Sequence, residues 1–490
     1  MTLLDATNPE PQPSQPPTRP AASQKGWLGQ LLLRLHFYAG IFIGPFILVA
    51  ALSGALYALT PQIEQAVYAK QLHAPVAESY LPLADQIEAA NAYIGEGNTP
   101  VAVRPAPGPG DTTRVMYADP NLGESETRAV FVDPATAEIL GDLTAYGTSG
   151  SLPLRTWVDQ LHRNLHLGEA GRLYSELAAS WLGITVLAGI GLWVIRIRKT
   201  KCRKDLLRPS LKAKGYRKLA SWHGSLGLWV LLGAFFLSAT GITWSTYGGA
   251  NVSELRSALN WGTPSVATDL SGSAEASVDE HAHHHGAAAS PAGTTANPAA
   301  YDTMLSIGRE ININTGLVEI KPPAAEGKAW VVQEIQRSFP TEVDAVSING
   351  QTLQVIDRVD FKEFSLAAKL SRWGIDIHMG SMFGLPNQVL LFVIASAIAA
   401  LVVLGYAMWW KRRPTRIPAR PVGKPPARGA FARAPWWGTA LVLLAAAGLG
   451  IFLPLLGISL AGFLAVDLVA GRIRAGKARA LADAAERVQT

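Results

Sequence analysis

The chain has 490 residues, of which 49% are hydrophobic and only 16% charged, whereas a soluble protein carries roughly a quarter charged residues. Its net charge of +6 comes from Lys and Arg clustered beside apolar runs, a pattern suited to anionic lipid and not to nucleic acid. The single cysteine, Cys202, excludes an internal disulfide framework, a cysteine-built zinc site and an iron–sulfur cluster.

Residues 1–26, rich in Pro, Ser, Thr and Gln, read as a disordered cytoplasmic tail without the basic start or cleavage site of a signal peptide. Four apolar segments follow, at 31–59, 173–195, 221–246 and 386–410, each holding the ~20 residues that a membrane helix needs. The spans are placed within 27–60, 153–195 (after an amphipathic stretch), 219–247 and 371–410. The loops 196–218 and 411–435 are dense in Lys and Arg, and short basic loops stay in the cytoplasm. The segments 61–152 and 248–370 then lie outside. A last apolar run, 436–470, is interrupted by Gly448, Gly450 and Pro454 and flanked by basic residues. It reads as a helical hairpin, making six spans, with a cytoplasmic tail at 471–490.

The outer segments have patterns of their own. In 61–152, Leu83–Tyr93 has helical spacing, while Val101–Val103, Arg114–Tyr117, Ala129–Asp133 and the stretch from Ile139 alternate as strands. In 301–370, Tyr301–Glu310 is the helix, and Leu317–Ile320, Trp330–Glu334, Val343–Ile348 and Thr352–Asp357 are strands. Each is expected to be a small α+β domain. Between them, 248–300 reads as a linker, Gly/Ala/Ser-rich from Thr263 to Ala300. Within it His281, His283, His284 and His285 follow Asp279 and Glu280, a tract that would capture copper, nickel or zinc loosely or be a low-complexity accident.

The chain repeats internally. An offset of 187 places His36 on His223, Gly40 on Gly227 and Ser53-Gly54 on Thr240-Gly241. An offset of 216 places His162 on His378, Gly168 on Gly384, Gly189 on Gly405 and Trp193 on Trp409. Neither needs a gap, so the chain is two parallel copies of helix, outer domain, helix. Ionisable residues inside a bilayer are functional candidates by default. His36 and His223 sit toward the cytoplasmic ends of their helices, and His162 and His378 sit on the outer side. His166, one turn after His162, is a reserve candidate that the repeat aligns with Met382. Imidazoles facing across a helical bundle are the usual axial ligands of b-type haem, so two haems b are expected, one per level. Gly40 and Gly227 would clear the helix face for a porphyrin. Arg34, Arg163 and Arg372 would pair with propionates or anchor at the interface, and Ser53-Gly54 and Thr240-Gly241 read as helix packing. Trp193, Trp409 and Trp410 read as an interfacial belt.

These motifs give the chain a likeness. Arg34-Leu-His36-Phe-Tyr-Ala-Gly40, Leu161-His162-Arg-Asn-Leu, Gly171-Arg-Leu-Tyr-Ser-Glu-Leu-Ala-Ala-Ser-Trp181, Trp222-His223, Arg372-Trp-Gly-Ile-Asp-Ile-His378-Met-Gly380 and Trp409-Trp-Lys-Arg-Arg-Pro414 resemble the PepSY-associated transmembrane family over about 27–414. The resemblance implies PepSY-like outer modules, two b haems on His36, His162, His223 and His378, and a place in the bacterial inner membrane. It further implies electron delivery to an outer ferric siderophore. The hairpin and the His-rich linker depart from the four-helix form and leave another metal complex open as acceptor. No Gly-x-Gly-x-x-Gly loop is present and the cytoplasmic loops are short, so electrons would come from quinol or a separate donor protein. The competing readings are a haem-free scaffold that binds peptide or restrains a protease, and a metal-uptake accessory.

Overall fold

The computed structural model describes residues 26–95, 97–199, 207–271, 297–412 and 426–487. The amino-terminal tail up to residue 25 and the His281–His285 tract lie outside these, as do parts of both basic loops. The first span is two helices, α1 (Trp27–Phe42) and α2 (Gly44–Val67). The chain breaks at Ile43 because Pro45, which has no N–H, opens the next helix. After the short α3 (Ala69–Leu72) come α4 (Leu83–Ile94) and strands β1 (Pro100–Arg104), β2 (Thr113–Tyr117), β3 (Glu126–Val132) and β4 (Ile139–Tyr146). Helix α5 (Pro153–Asn164) then leads into the long α6 (Gly168–Lys199).

The second half repeats this order. Helices α7 (Gly215–Trp229) and α8 (Leu231–Thr243) meet at a 62° bend. Their break, Val230, stands 187 residues after Ile43, so both halves interrupt the span at the equivalent position. Helix α9 (Tyr247–Ala258) follows directly, occupying the start of what reads as linker. It forms there because Glu176, 1% exposed on α6, accepts the Tyr247 and Gly248 N–H groups at 2.9 and 3.0 Å and so caps its amino terminus. Then come α10 (Pro298–Glu310), β5 (Val318–Lys321), β6 (Trp330–Glu334), β7 (Ala345–Ile348), β8 (Val355–Val359), α11 (Leu366–His378) and α12 (Leu385–Lys411).

The strands form close to where alternation places them, with β8 beginning at Val355 and not at Thr352. In β6, Trp330, Val332 and Glu334 are buried while Val331 and Gln333 are half-buried. The two outer segments do not, however, hold separate sheets. All eight strands make one antiparallel sheet in the order β4-β3-β2-β1-β5-β6-β7-β8. Each four-strand meander leaves a bare edge, β1 or β5, and pairing these edges satisfies backbone groups that would otherwise face solvent. Arg104 and Glu319 form an ion pair at this seam at 2.6 Å, their side chains 9% and 3% exposed. Gln333 and Lys321 also reach Glu319, at 2.9 and 3.2 Å. Helices α4 and α10 cover one face, so Ile87 and Ala90 share a single core with Tyr301 and Met304.

The carboxyl-terminal run folds as α13 (Ala430–Arg433), α14 (Trp436–Phe452) and α15 (Pro454–Arg487). The last two reverse at Leu453, which packs with Leu456 into the bundle core. At 17 residues α14 falls short of the ~20 that span a bilayer. Among the described residues four helices are long and apolar enough to cross, or five with the bent α7–α8 pair counted as one span, where six are expected from the sequence. The hairpin is tied down by Trp181 Nε1–H donating to Ser459 Oγ at 2.9 Å. Asp467 also accepts from Arg34 and Arg428, at 2.7 and 2.8 Å.

Candidate functional site

Two pairs of histidines converge inside the bundle. At the end nearer the basic loops, His36 on α1 and His223 on α7 stand with ring centroids 5.9 Å apart and planes at 82°. The His36 Nδ1–H donates to the Thr185 carbonyl on α6 at 3.0 Å, and the His223 Nδ1–H to the Leu401 carbonyl on α12 at 3.2 Å. A carbonyl only accepts, so each Nδ1 carries the proton and each Nε2 keeps a lone pair. A Cβ at Gly189 would meet His36 Cε1 at 3.4 Å, an ordinary contact, and Gly40 faces open space.

At the sheet end, α5 and α11 dip into the bundle and carry His162 and His378. His162 Nδ1 lies 3.0 Å from Ser53 Oγ, and His378 Nδ1 lies 2.5 Å from Thr240 Oγ1. Each hydroxyl spends its own proton on the preceding helical turn, Ser53 on Val49 O at 2.8 Å and Thr240 on Phe236 O at 2.7 Å. The hydroxyls are therefore left as acceptors, which fixes the same Nδ1–H tautomer. Gly54 clears space for the ring, its would-be Cβ being 3.1 Å from His162 Cε1. A ligand must offer a neutral imidazole, and this tautomer in apolar surroundings is that form.

His162 and His378 line one cavity of about 590 Å³. Its deeper wall is apolar, with Ile47, Ala51, Ala178, Leu182 and Ile398. Its outer mouth carries Arg163, Arg172, Arg337 and Asp159, beside the β4–α5 loop at Thr148. Such a volume, with few polar groups at one end, suits a mainly apolar ligand with a polar edge. Of the three arginines singled out as propionate partners, only Arg163 reaches this cavity. Arg34 is bound to Asp467, and Arg372 is bound at 2.9 Å to Asp376, which is fully buried. His166 sits on the exposed surface with φ 56°, its ring 4.9 Å from Trp157. Among the described residues no three His, Cys, Asp or Glu side chains gather to hold a metal ion.

Sequence reasoning passes over the orienting acceptors: Ser53 and Thr240 read as packing, and Thr185 and Leu401 act through main-chain oxygen. It also passes over Arg172 and Arg337, which only the fold brings to the mouth. The chain matches the profile of the PepSY-associated TM region over residues 33–412. No curated protein matches it.

Proposed function

Because the chain belongs to the PepSY-associated transmembrane family, we propose that it is a di-haem b membrane oxidoreductase. It would carry electrons from quinol or a separate donor to an outer ferric siderophore or other metal complex. The basic loops and both termini would face the cytoplasm of a bacterium, and the sheet would face outward across the inner membrane. Bound haem supplies a one-electron centre at each level.

The chain's own residues supply the rest. His36 with His223, and His162 with His378, present paired Nε2 lone pairs. Thr185 O, Leu401 O, Ser53 Oγ and Thr240 Oγ1 hold each ring by its Nδ1–H, fixing the tautomer and rotation and making Nε2 more basic. Gly54 lets the His162 ring stand against its neighbouring helix, and the deeper wall beside His162 and His378 is apolar. The observation that carries this reading is the repeated orientation: all four histidines spend Nδ1 on an acceptor and keep Nε2.

Purified from haem-replete cells, the protein should be red, with a Soret band that shifts on dithionite reduction. A pyridine haemochrome assay should find about two haems per chain. Colourless but folded protein would sink the reading. The orienting role is tested with Ser53→Ala and Thr240→Val. Each should weaken haem retention at the outer level by about 10–100-fold in transfer to apomyoglobin while leaving the inner haem in place. Unchanged retention would make the two hydroxyls mere packing.

A further inference from the structure

We propose that the outer mouth of the cavity is a carboxylate-binding site built from Arg163, Arg172 and Thr246, an inference that rests on the reading of the same cavity given above. Arg163 donates from Nη1 to Tyr146 Oη at 2.7 Å, but its Nε is buried without a partner. Thr246 Oγ1 is buried and unpartnered as well. Arg172 has only long contacts, to Trp244 O at 3.5 Å and to Glu169 at 3.9 Å, and the Glu169 side chain is 80% exposed. All three residues line the cavity, and the two guanidiniums repel each other across it.

The neighbouring charges do not resolve this. Among the described residues Arg163 has no carboxylate within ion-pair reach. Asp159, one turn earlier on α5, attracts it only from longer range. Arg337, the third arginine of the mouth, is committed to Asp376 at 3.4 Å and to Thr148 Oγ1. Two guanidiniums and a hydroxyl therefore face a largely apolar space with donors unspent, which is costly unless an anion completes the set. A carboxylate matches it: two oxygens accept several hydrogen bonds, and the planar guanidinium fork fits them side by side. The carboxylate could belong to a propionate of the resident cofactor or to a metal complex entering from outside.

The test uses the full-length protein freed of haem, as wild type, Arg163→Gln, Arg172→Gln and Thr246→Val. Each form is titrated with protohaem, with protohaem dimethyl ester and, separately, with ferric citrate. If the site takes a propionate, the outer level of wild type binds protohaem about tenfold or more tightly than the diester, and either arginine substitution abolishes the preference. If it takes a carboxylate of the incoming complex, both haems bind alike and either arginine variant holds ferric citrate about tenfold more weakly. Thr246→Val should give a smaller change of the same sign, which a misfolded arginine variant would not reproduce. Equal behaviour of all four forms toward all three ligands overturns the site. Protein that takes up neither haem but still loses ferric citrate on Arg172→Gln keeps the carboxylate site and removes the haem reading.

Discussion

On the di-haem reading proposed above, replacing His162 with alanine should remove about half of the bound haem, and replacing His378 should remove the same half. His36→Ala and His223→Ala should each remove the other half. The reason is shared ligation: an iron held by two imidazoles depends on both as a unit, so two substitutions at one level should be no worse than one. His162→Ala with His378→Ala should match either single change, whereas His162→Ala with His36→Ala should leave no haem. The geometry behind this pairing is specific. His36 and His223 stand 5.9 Å apart by ring centroid, and His162 and His378 line one cavity. His166 serves as the internal control, because it lies exposed against Trp157 and His166→Ala should keep both haems. Pyridine haemochrome stoichiometry and the low-temperature α-band of each variant read the outcome. Haem loss on His166→Ala but not on His162→Ala would reassign the outer ligand. Additive losses within one level would dissolve the pairs altogether.

How much of this is legible in the sequence depends on what carries each role. The four histidines are legible because an ionisable group in an apolar segment stands out and two ungapped offsets pair them. The acceptors that orient them are legible only in part. Ser53 and Thr240 are related by the 187-residue offset. But a hydroxyl on a membrane helix commonly bonds back to its own helix, as these do, and the second bond needs α5 and α11 to descend beside them. Thr185 and Leu401 accept through main-chain oxygen, which has no side-chain signature. Yet they are separated by the same 216 residues that separate His162 from His378, so the repeat encodes both acceptors of the inner pair once one is known.

The arginines divide for a different reason. Proximity in sequence to a histidine suggests Arg34 and Arg372 as propionate partners, but nearby carboxylates compete. Asp467 lies beyond the repeat, on a hairpin whose docking partner composition cannot reveal. Asp376 stands one helical turn after Arg372, the spacing at which an ion pair forms within a helix. Arg172 and Arg337 come to the mouth only through the fold, one from the start of α6 and the other from the loop after β6. The strands themselves are legible from alternation, which reports the buried face of a strand. Alternation is silent on which edge a strand offers and to whom, so the union of two meanders into one sheet emerges only in three dimensions.

That union supports the second large effect. Glu319→Gln is expected to destabilise the seam between β1 and β5 by about 3–5 kcal/mol, the scale for removing one partner of a buried ion pair. Burial by itself would raise the Glu319 carboxyl. Arg104 and Lys321 outweigh it and hold the group at about 2, against about 4.3 for an unfolded glutamate. A carboxyl depressed on folding contributes stability that is fully present above the unfolded value. That contribution is lost as pH falls from about 4.3 through about 2. The gap in urea midpoint between wild type and Glu319→Gln should therefore be widest near neutral pH and should narrow across that acid window. Hydrogen exchange at neutral pH should rise first in β1 and β5 of the variant, because the substitution weakens the seam before any other part of the sheet. Arg104→Met combined with Glu319→Leu should recover most of the loss, since it leaves no fully buried charge unpaired, the Lys321 side chain being 38% exposed. A gap that stays constant as the pH falls would mean that the charge on Glu319 does not hold the two halves together. The sheet would then be joined by its backbone ladder and shared apolar core alone.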